Sequence, residues 1–242
     1  MWYVGTIAQP REPGMLPPPR RKAPCMHFVL IGDDHTDAAA PARRQATRPR
    51  HVENLITWAQ AGKLVLSGPR MPTEETTTGS LQFFDVSGPA EMADYLAVEP
   101  FAQEGVWAST RILPFRIAPL PYPAPPGTAG GPAGPVVAWA IIAMDGTDAG
   151  AEARRLAARP AHLAGLQPLL AAGRVLLGGA ILDAPEGRMV GSIMAVTAPD
   201  EAAARALVAQ DPYVQQGVWQ DIRVERWRIG PQPYKPLPGQ PA

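Results

Sequence analysis

"RPAHLAGL", Arg159–Leu166, recurs in altered form as "RPRHVENL", Arg48–Leu55, and this pair of stretches decides how the rest of the chain is read. Each contains one of the chain's four histidines, His162 and His51, in the same setting. Sliding the sequence on itself by the 111 positions between them aligns Met26–Pro69 with Val137–Ala180, with 18 of 44 positions identical. After a one-residue insertion the match resumes, so that Gly79-Ser80, Gly105-Val106-Trp107 and Arg116-Ile117 correspond to Gly191-Ser192, Gly217-Val218-Trp219 and Arg228-Ile229. Self-similarity over such a span is an internal duplication, and each copy reads as one structural unit.

Both copies read alike. "HFVLIG" and "AWAIIAM" are short apolar runs suited to a buried strand. Each is followed by an Asp-x-Thr-Asp loop, Asp34–Asp37 and Asp145–Asp148, which reads as a solvated turn rather than a cation site. The Arg-Pro pair predicts a helix start, because proline in a first turn gives up a hydrogen bond that is missing anyway. Gly62 and Gly173 predict the helix ends. Pro168 falls inside the second of these helices and predicts a kink that Thr57 in the first copy spares its counterpart. "KLVLSG" and "RVLLGG", then "SLQFFDV" and "SIMAVTA", read as strands, followed by a helix and a long closing strand beginning at Trp107 or Trp219.

The order βαββαβ predicts an α+β fold of two tandem ferredoxin-like units. One unit alone leaves a sheet face uncovered. The other copy is the natural cover, giving an intramolecular pseudo-dimeric α+β barrel. The 30 prolines crowd the boundaries between units. Residues 1–25 are expected to be a Pro/Arg-rich disordered extension, 26–117 and 136–230 the two domains, 118–135 a Pro/Gly-rich linker and 231–242 a Pro-rich tail.

Composition excludes several classes of partner. An apolar fraction of 46% in 242 residues is that of a chain that builds a core, and 22 basic against 22 acidic residues leave no global field for nucleic acid. The longest apolar run, Val136–Met144, is too short to span a bilayer, and the N-terminus lacks a secretory pattern. A cytoplasmic protein with neither nucleic-acid nor membrane partners is expected. The single cysteine, Cys25, forms no internal disulfide and reads as an incidental thiol.

Through "RRLAARPAHLAGL", "AAGRVLLGG", the Gly-Ser at 191 and "DPYVQQGVW" at 211–219, the second copy resembles the YciI-like, or YCII-related, proteins. The first copy follows the same order more loosely. That resemblance implies a dimeric α+β barrel with a His–Asp pair in a cleft, and one branch of the family dechlorinates a chlorinated hydroxyhydroquinone. Carried over residue by residue, the histidines are His162 and His51, and the acid is Asp211, replaced in the first copy by Glu99. Ser192 and Ser80 follow as substrate-binding candidates.

A histidine in a first helical turn is kept neutral by the helix dipole, and a neutral imidazole is a usable base near pH 7. Arg159 and Arg48 beside that helix end are candidates to hold a phenolate, enolate or carboxylate. Tyr213, matched by Phe101, could add a hydroxyl to the second site. Each residue also has a structural reading: the histidines share a face with Leu166 or Leu55, and Asp211 before Pro212 is a good helix cap.

The expected function is therefore cofactor-independent proton transfer, as in elimination, isomerisation or dehydrochlorination, on a small hydroxylated cyclic or aromatic substrate. No metal is expected. If only one site works, the one containing "RPAHLAGL" is expected, because it keeps Asp211 and Tyr213. Rival readings are a non-catalytic module that binds a small metabolite or a protein, with structural His–acid pairs, and a cofactor-free monooxygenase. Further association between chains stays open.

Overall fold

The computed structural model describes residues 26–240; Cys25, the rest of the 1–25 extension and the last two residues lie outside the described residues. The first half runs β1 (Met26–Asp34), α1 (Ala40–Gln60), β2 (Leu64–Arg70), β3 (Gly79–Val86), α2 (Pro89–Val98), α3 (Pro100–Gln103) and β4 (Trp107–Ile117). The second repeats it as β5 (Val136–Asp145), α4 (Ala151–Ala171), β6 (Val175–Leu182), β7 (Met189–Val196), α5 (Glu201–Ala209), α6 (Pro212–Gln215) and β8 (Trp219–Ile229). Within each half the strands are antiparallel, ordered β4-β1-β3-β2 and β8-β5-β7-β6.

The two sheets meet along their edges as well as covering each other. β2 pairs with β8 and β4 with β6, which closes one eight-stranded barrel. Alternation along the strands then sorts the side chains into two sets. Phe83, Phe115 and Trp227, from β3, β4 and β8, meet inside the barrel with ring centroids 5.4 and 5.7 Å apart. Phe84 and Gln82 point outward, to Trp58 of α1 and Tyr95 of α2. The barrel is thus a packed core, and the functional candidates lie on its outer surface under the helices.

Both seams need glycine. A Cβ on Gly68 would stand 2.0 Å from the carbonyl oxygen of Arg228, and one on Gly179 would stand 2.3 Å from that of Arg116. These are equivalent positions in the two copies, so the duplication repeated the close approach that lets each edge pair with the other half. At the barrel mouth, Arg70 adds a bridge between the halves by reaching Glu225 at 3.1 Å and also pairing with Asp33.

The helices correct one expectation. α1 and α4 begin at Ala40 and Ala151, eight residues before the Arg-Pro pairs, and continue as helix through Pro49, Pro160 and Pro168. Alanine-rich segments are strong helix formers and carry the helix past the lost hydrogen bonds. The helix ends are as expected, with Gly62 and Gly173 at φ of +71° and +64° just beyond them. His51 and His162 therefore sit deep inside their helices, and neither the free N–H groups nor the dipole of a helix start acts on them. Arg48 and Arg159 likewise lie within the helices rather than beside an end, both exposed.

The expected linker and tail are packed rather than free. Tyr122 and Tyr234, 4% and 5% exposed, stand at equivalent positions, and each crosses to the other half. The Tyr122 hydroxyl accepts from Gly178 N–H in β6 at 3.2 Å, and the Tyr234 hydroxyl accepts from Ser67 N–H in β2 at 3.2 Å. Burial pushes both phenols well up, so they remain protonated and can donate to nearby carbonyls as well. Gln240 then donates to the carbonyls of Tyr122 and Pro123, which ties the two straps together, and Lys235 pairs with Asp85 of β3, which ties the second to the barrel. Replacing either tyrosine with phenylalanine strands a buried N–H and is expected to cost about 1–3 kcal/mol. Urea unfolding midpoints check this, and unchanged midpoints would mean that the straps merely rest on the barrel.

Candidate functional site

In each half the mid-helix histidine meets a carboxylate from the loop that begins the short third helix. His51 Nδ1 lies 2.6 Å from Glu99 Oε1, and His162 Nδ1 lies 2.9 Å from both Asp211 oxygens. Both acids also accept the backbone N–H two residues on, Phe101 at 2.9 Å and Tyr213 at 2.8 Å. The capping and pairing readings of these acids are therefore compatible, since one carboxylate does both. The longer Glu99 side chain does not weaken its cap.

A carboxylate acceptor at Nδ1 selects the tautomer with hydrogen on that nitrogen and leaves the Nε2 lone pair free. Among the described residues, neither Nε2 has a hydrogen-bond partner. The rings are held by stacking, His51 on Phe101 at 3.8 Å and His162 on Tyr213 at 4.0 Å, with Trp107 and Trp219 edge-on. Tyr213 is 2% exposed, so its chief contribution is its ring.

A second cluster adjoins each pair, built from residues that sequence reasoning passed over. Arg44 Nη1 binds both oxygens of Asp34 at 2.7 and 2.8 Å, and Arg155 binds Asp145 at 2.8 and 2.9 Å. The guanidiniums lie over the Phe101 and Tyr213 rings at 4.5 and 4.9 Å. Burial pushes the Asp34 and Asp145 carboxyls above their ordinary range, an effect that their arginines offset only in part. The first aspartate of each Asp-x-Thr-Asp loop is thus an ion-pair partner and not a solvated turn residue. The last one, Asp37 or Asp148, clasps Arg43 or Arg154 at the surface. The missed signal was periodicity, because Arg44 and Arg155 precede their histidines by seven residues, two helical turns, in both copies.

Ser80 and Ser192 belong to this cluster. Ser80 Oγ accepts from Arg44 at 3.2 Å and Trp107 Nε1 at 3.3 Å; Ser192 Oγ accepts from Arg155 at 2.8 Å and Trp219 Nε1 at 3.2 Å. Ser80 is 1% exposed and does not line the adjoining cavity, so its hydroxyl holds Trp107 and Arg44 in place.

The two pairs differ in their surroundings. Glu99 is fully buried and accepts two further bonds, from Asn54 at 2.7 Å and the Tyr95 hydroxyl at 2.8 Å. The equivalent positions in the second half are Gly165 and Leu207, which supply neither. Burial acts to raise the Glu99 carboxyl, but the hydrogen bonds from His51, Phe101 and Asn54 outweigh it and hold the group below its ordinary range. A depressed folded value means that ionised Glu99 contributes stability above the unfolded glutamate range, around 4.3, and that this contribution is lost as pH falls through the folded value. Glu99→Gln is expected to flatten this acid limb. Unfolding free energies measured between neutral and acid pH check the point, and an unaltered slope would remove Glu99 from the account.

A cavity of about 860 Å³ opens beside the first pair. His51 and Phe101 line it together with Arg44 and Arg48 of α1, the outer side of β2, the 75–78 loop, and Arg228 of β8 from the other half. Among the described residues there is no cluster of three or more metal-ligating side chains, and no helix is long and apolar enough to cross a membrane.

Fold and site together define a duplicated, closed α+β barrel with one carboxylate–histidine pair in each half. The chain belongs to the YCII-related domain family, whose profile matches residues 26–116 and 137–228. It is 38% identical over 69 residues, 70% of that protein's length and 26% of this chain, to the derivative of benzaldehyde biosynthesis cluster protein C of Emericella nidulans. It is 30% identical to 5-chloro-2-hydroxyhydroquinone dehydrochlorinase of Burkholderia phenoliruptrix, solved with 2,5-dihydroxybenzoquinone, over 38% of this chain and 93% of that one, with a TM-score of 0.34. A chlorite dismutase variant from Candidatus Nitrospira defluvii shares the fold, with a TM-score of 0.51 and 12% identity over 85% of this chain and 91% of that one.

Proposed function

We propose that the protein is an enzyme of the YCII-related type that transfers a proton without a cofactor, acting on a small hydroxylated cyclic or aromatic substrate. Each half is, in this reading, a ferredoxin-like unit, supported by its βαββαβ order and the strand order β4-β1-β3-β2. The observation that carries the proposal is that His51 lines the cavity while the buried Glu99 holds its Nδ1, which leaves Nε2 without a partner among the described residues. Nε2 takes a proton from substrate carbon or oxygen, and Glu99 stabilises the imidazolium so formed. Returning the proton elsewhere isomerises the substrate; expelling chloride as the anion, or a hydroxyl group as water with the proton that Nε2 returns to it, makes the step an elimination. The cavity moves the proposal from the second-half pair, which the sequence favours, to His51, with Glu99 as its positioning partner and Arg48 as a substrate-binding residue.

A structural role for the pairs is favoured by one observation, the capping of α3 and α6 by the same two acids. Screening phenols, lactones and chlorinated hydroxyquinones for turnover by wild type, His51→Ala and His162→Ala separates the readings. Turnover that survives both substitutions would leave the pairs structural.

A further inference from the structure

We infer that the first-half site is completed by the second half, and that Arg228 with Arg48 selects substrates carrying a carboxylate. The inference rests on the cavity beside His51 being the binding site. Of the arginines near it, Arg43 and Arg44 are committed to Asp37 and Asp34. Arg48 and Arg228 line the same cavity, are exposed, and have no ion pair among the described residues. Glu75 is the one carboxylate in the lining besides the paired Asp34 and Asp37. The lining as a whole is balanced, three arginines against three carboxylates, but with Arg44, Asp34 and Asp37 committed to ion pairs two arginines are left against Glu75, one from α1 of the first half and one from β8 of the second.

Strand alternation fixes which way Arg228 points. Trp227 is fully buried inside the barrel, so its neighbour Arg228 faces outward, onto the cavity side of the β2·β8 seam. The close approach at Gly68 holds the Arg228 backbone against β2, whose Ser67, Gly68 and Pro69 line the same cavity. Two unpaired guanidiniums lining one cavity suit a planar two-oxygen anion, which each can hold by paired N–H donors. A hydroxylated aromatic or cyclic carboxylate would set its carboxylate between them and its ring toward His51. The site is then specific for acids over the corresponding neutral phenols, and neither half alone contains it.

Calorimetric titration of the full chain with 2,5-dihydroxybenzoate and, separately, with 1,4-hydroquinone tests this at neutral pH. Wild type is expected to bind the acid roughly tenfold or more tightly than the neutral ring, and Arg228→Ala to erase that preference while leaving hydroquinone binding unchanged. Arg228→Lys should restore part of it, and Arg205→Ala, which removes a distant positive charge, should leave it intact. An undiminished preference in Arg228→Ala, or none in wild type, overturns the inference. Turnover by His51→Asn is followed beside these titrations; loss of turnover in that variant alongside an unaltered Arg228→Ala preference would overturn the composite site and retain the proton-transfer reading.

Discussion

His51→Ala lowers turnover of the best substrate by roughly 10²- to 10⁴-fold, the loss expected when a positioned general acid or base is removed. Because His51 is 6% exposed and stacked on Phe101, its removal also loosens the site. His51→Asn separates the two effects, since its shorter amide can still donate to Glu99 but has no titrating nitrogen. It is expected to fold as wild type does and to be equally impaired. Glu99→Gln keeps an oxygen to cap Phe101 but offers no charge to the imidazolium, so kcat falls while KM holds. His162→Ala is expected to retain most of the activity if the cavity beside the first pair is the one used. Kinetics of the four variants decide the matter, and a full loss in His162→Ala alone would return the chemistry to the second half.

Trp227→Ala is the most destabilising single change expected in the barrel. The indole is fully buried among Phe83, Phe115 and the strands of both halves, and its Nε1 donates to the Gly68 carbonyl at 3.1 Å across the β2·β8 seam. Truncation leaves a cavity and a stranded acceptor, at a cost of about 3–5 kcal/mol. For a chain of this size that corresponds to a fall in Tm of roughly 6–20 °C. Trp227→Phe fills most of the space but drops the hydrogen bond and is expected to cost less. Calorimetric melting of both variants gives the comparison, and near-equal melting of wild type and Trp227→Ala would mean that the seam contributes little.

The duplication made most of the architecture legible, because it reports the same four strands twice and allows each half to check the other. The His–acid pairs were legible only through resemblance to a family, since residues 48 positions apart, His51 and Glu99, leave no local trace of their contact. What misled was the Arg-Pro pair. Proline marks a helix start only when the residues before it cannot form helix, and Ala40, Ala42 and Ala46 before Pro49 and the alanines around Arg155 form it readily. The cavity was invisible for a different reason: its walls come from α1, a loop and β8, and no periodicity connects these. Even so, Gly68 and Gly179, repeated where a strand has no need of flexibility, were a trace of the seams.

The closed ring also dictates the order in which a nascent chain can become safe. While the ribosome has delivered only the first half, β2 and β4 present unpaired backbone edges, which are open to pairing with any other chain nearby. Their true partners, β8 and β6, come late, and the contact of Tyr234 with Ser67 spans 167 positions. Locking so distant a pair makes final closure slow compared with the folding of either half. The price of a shared barrel is thus a vulnerable interval during synthesis, which closes only after β8 and the strap that carries Tyr234 have been made.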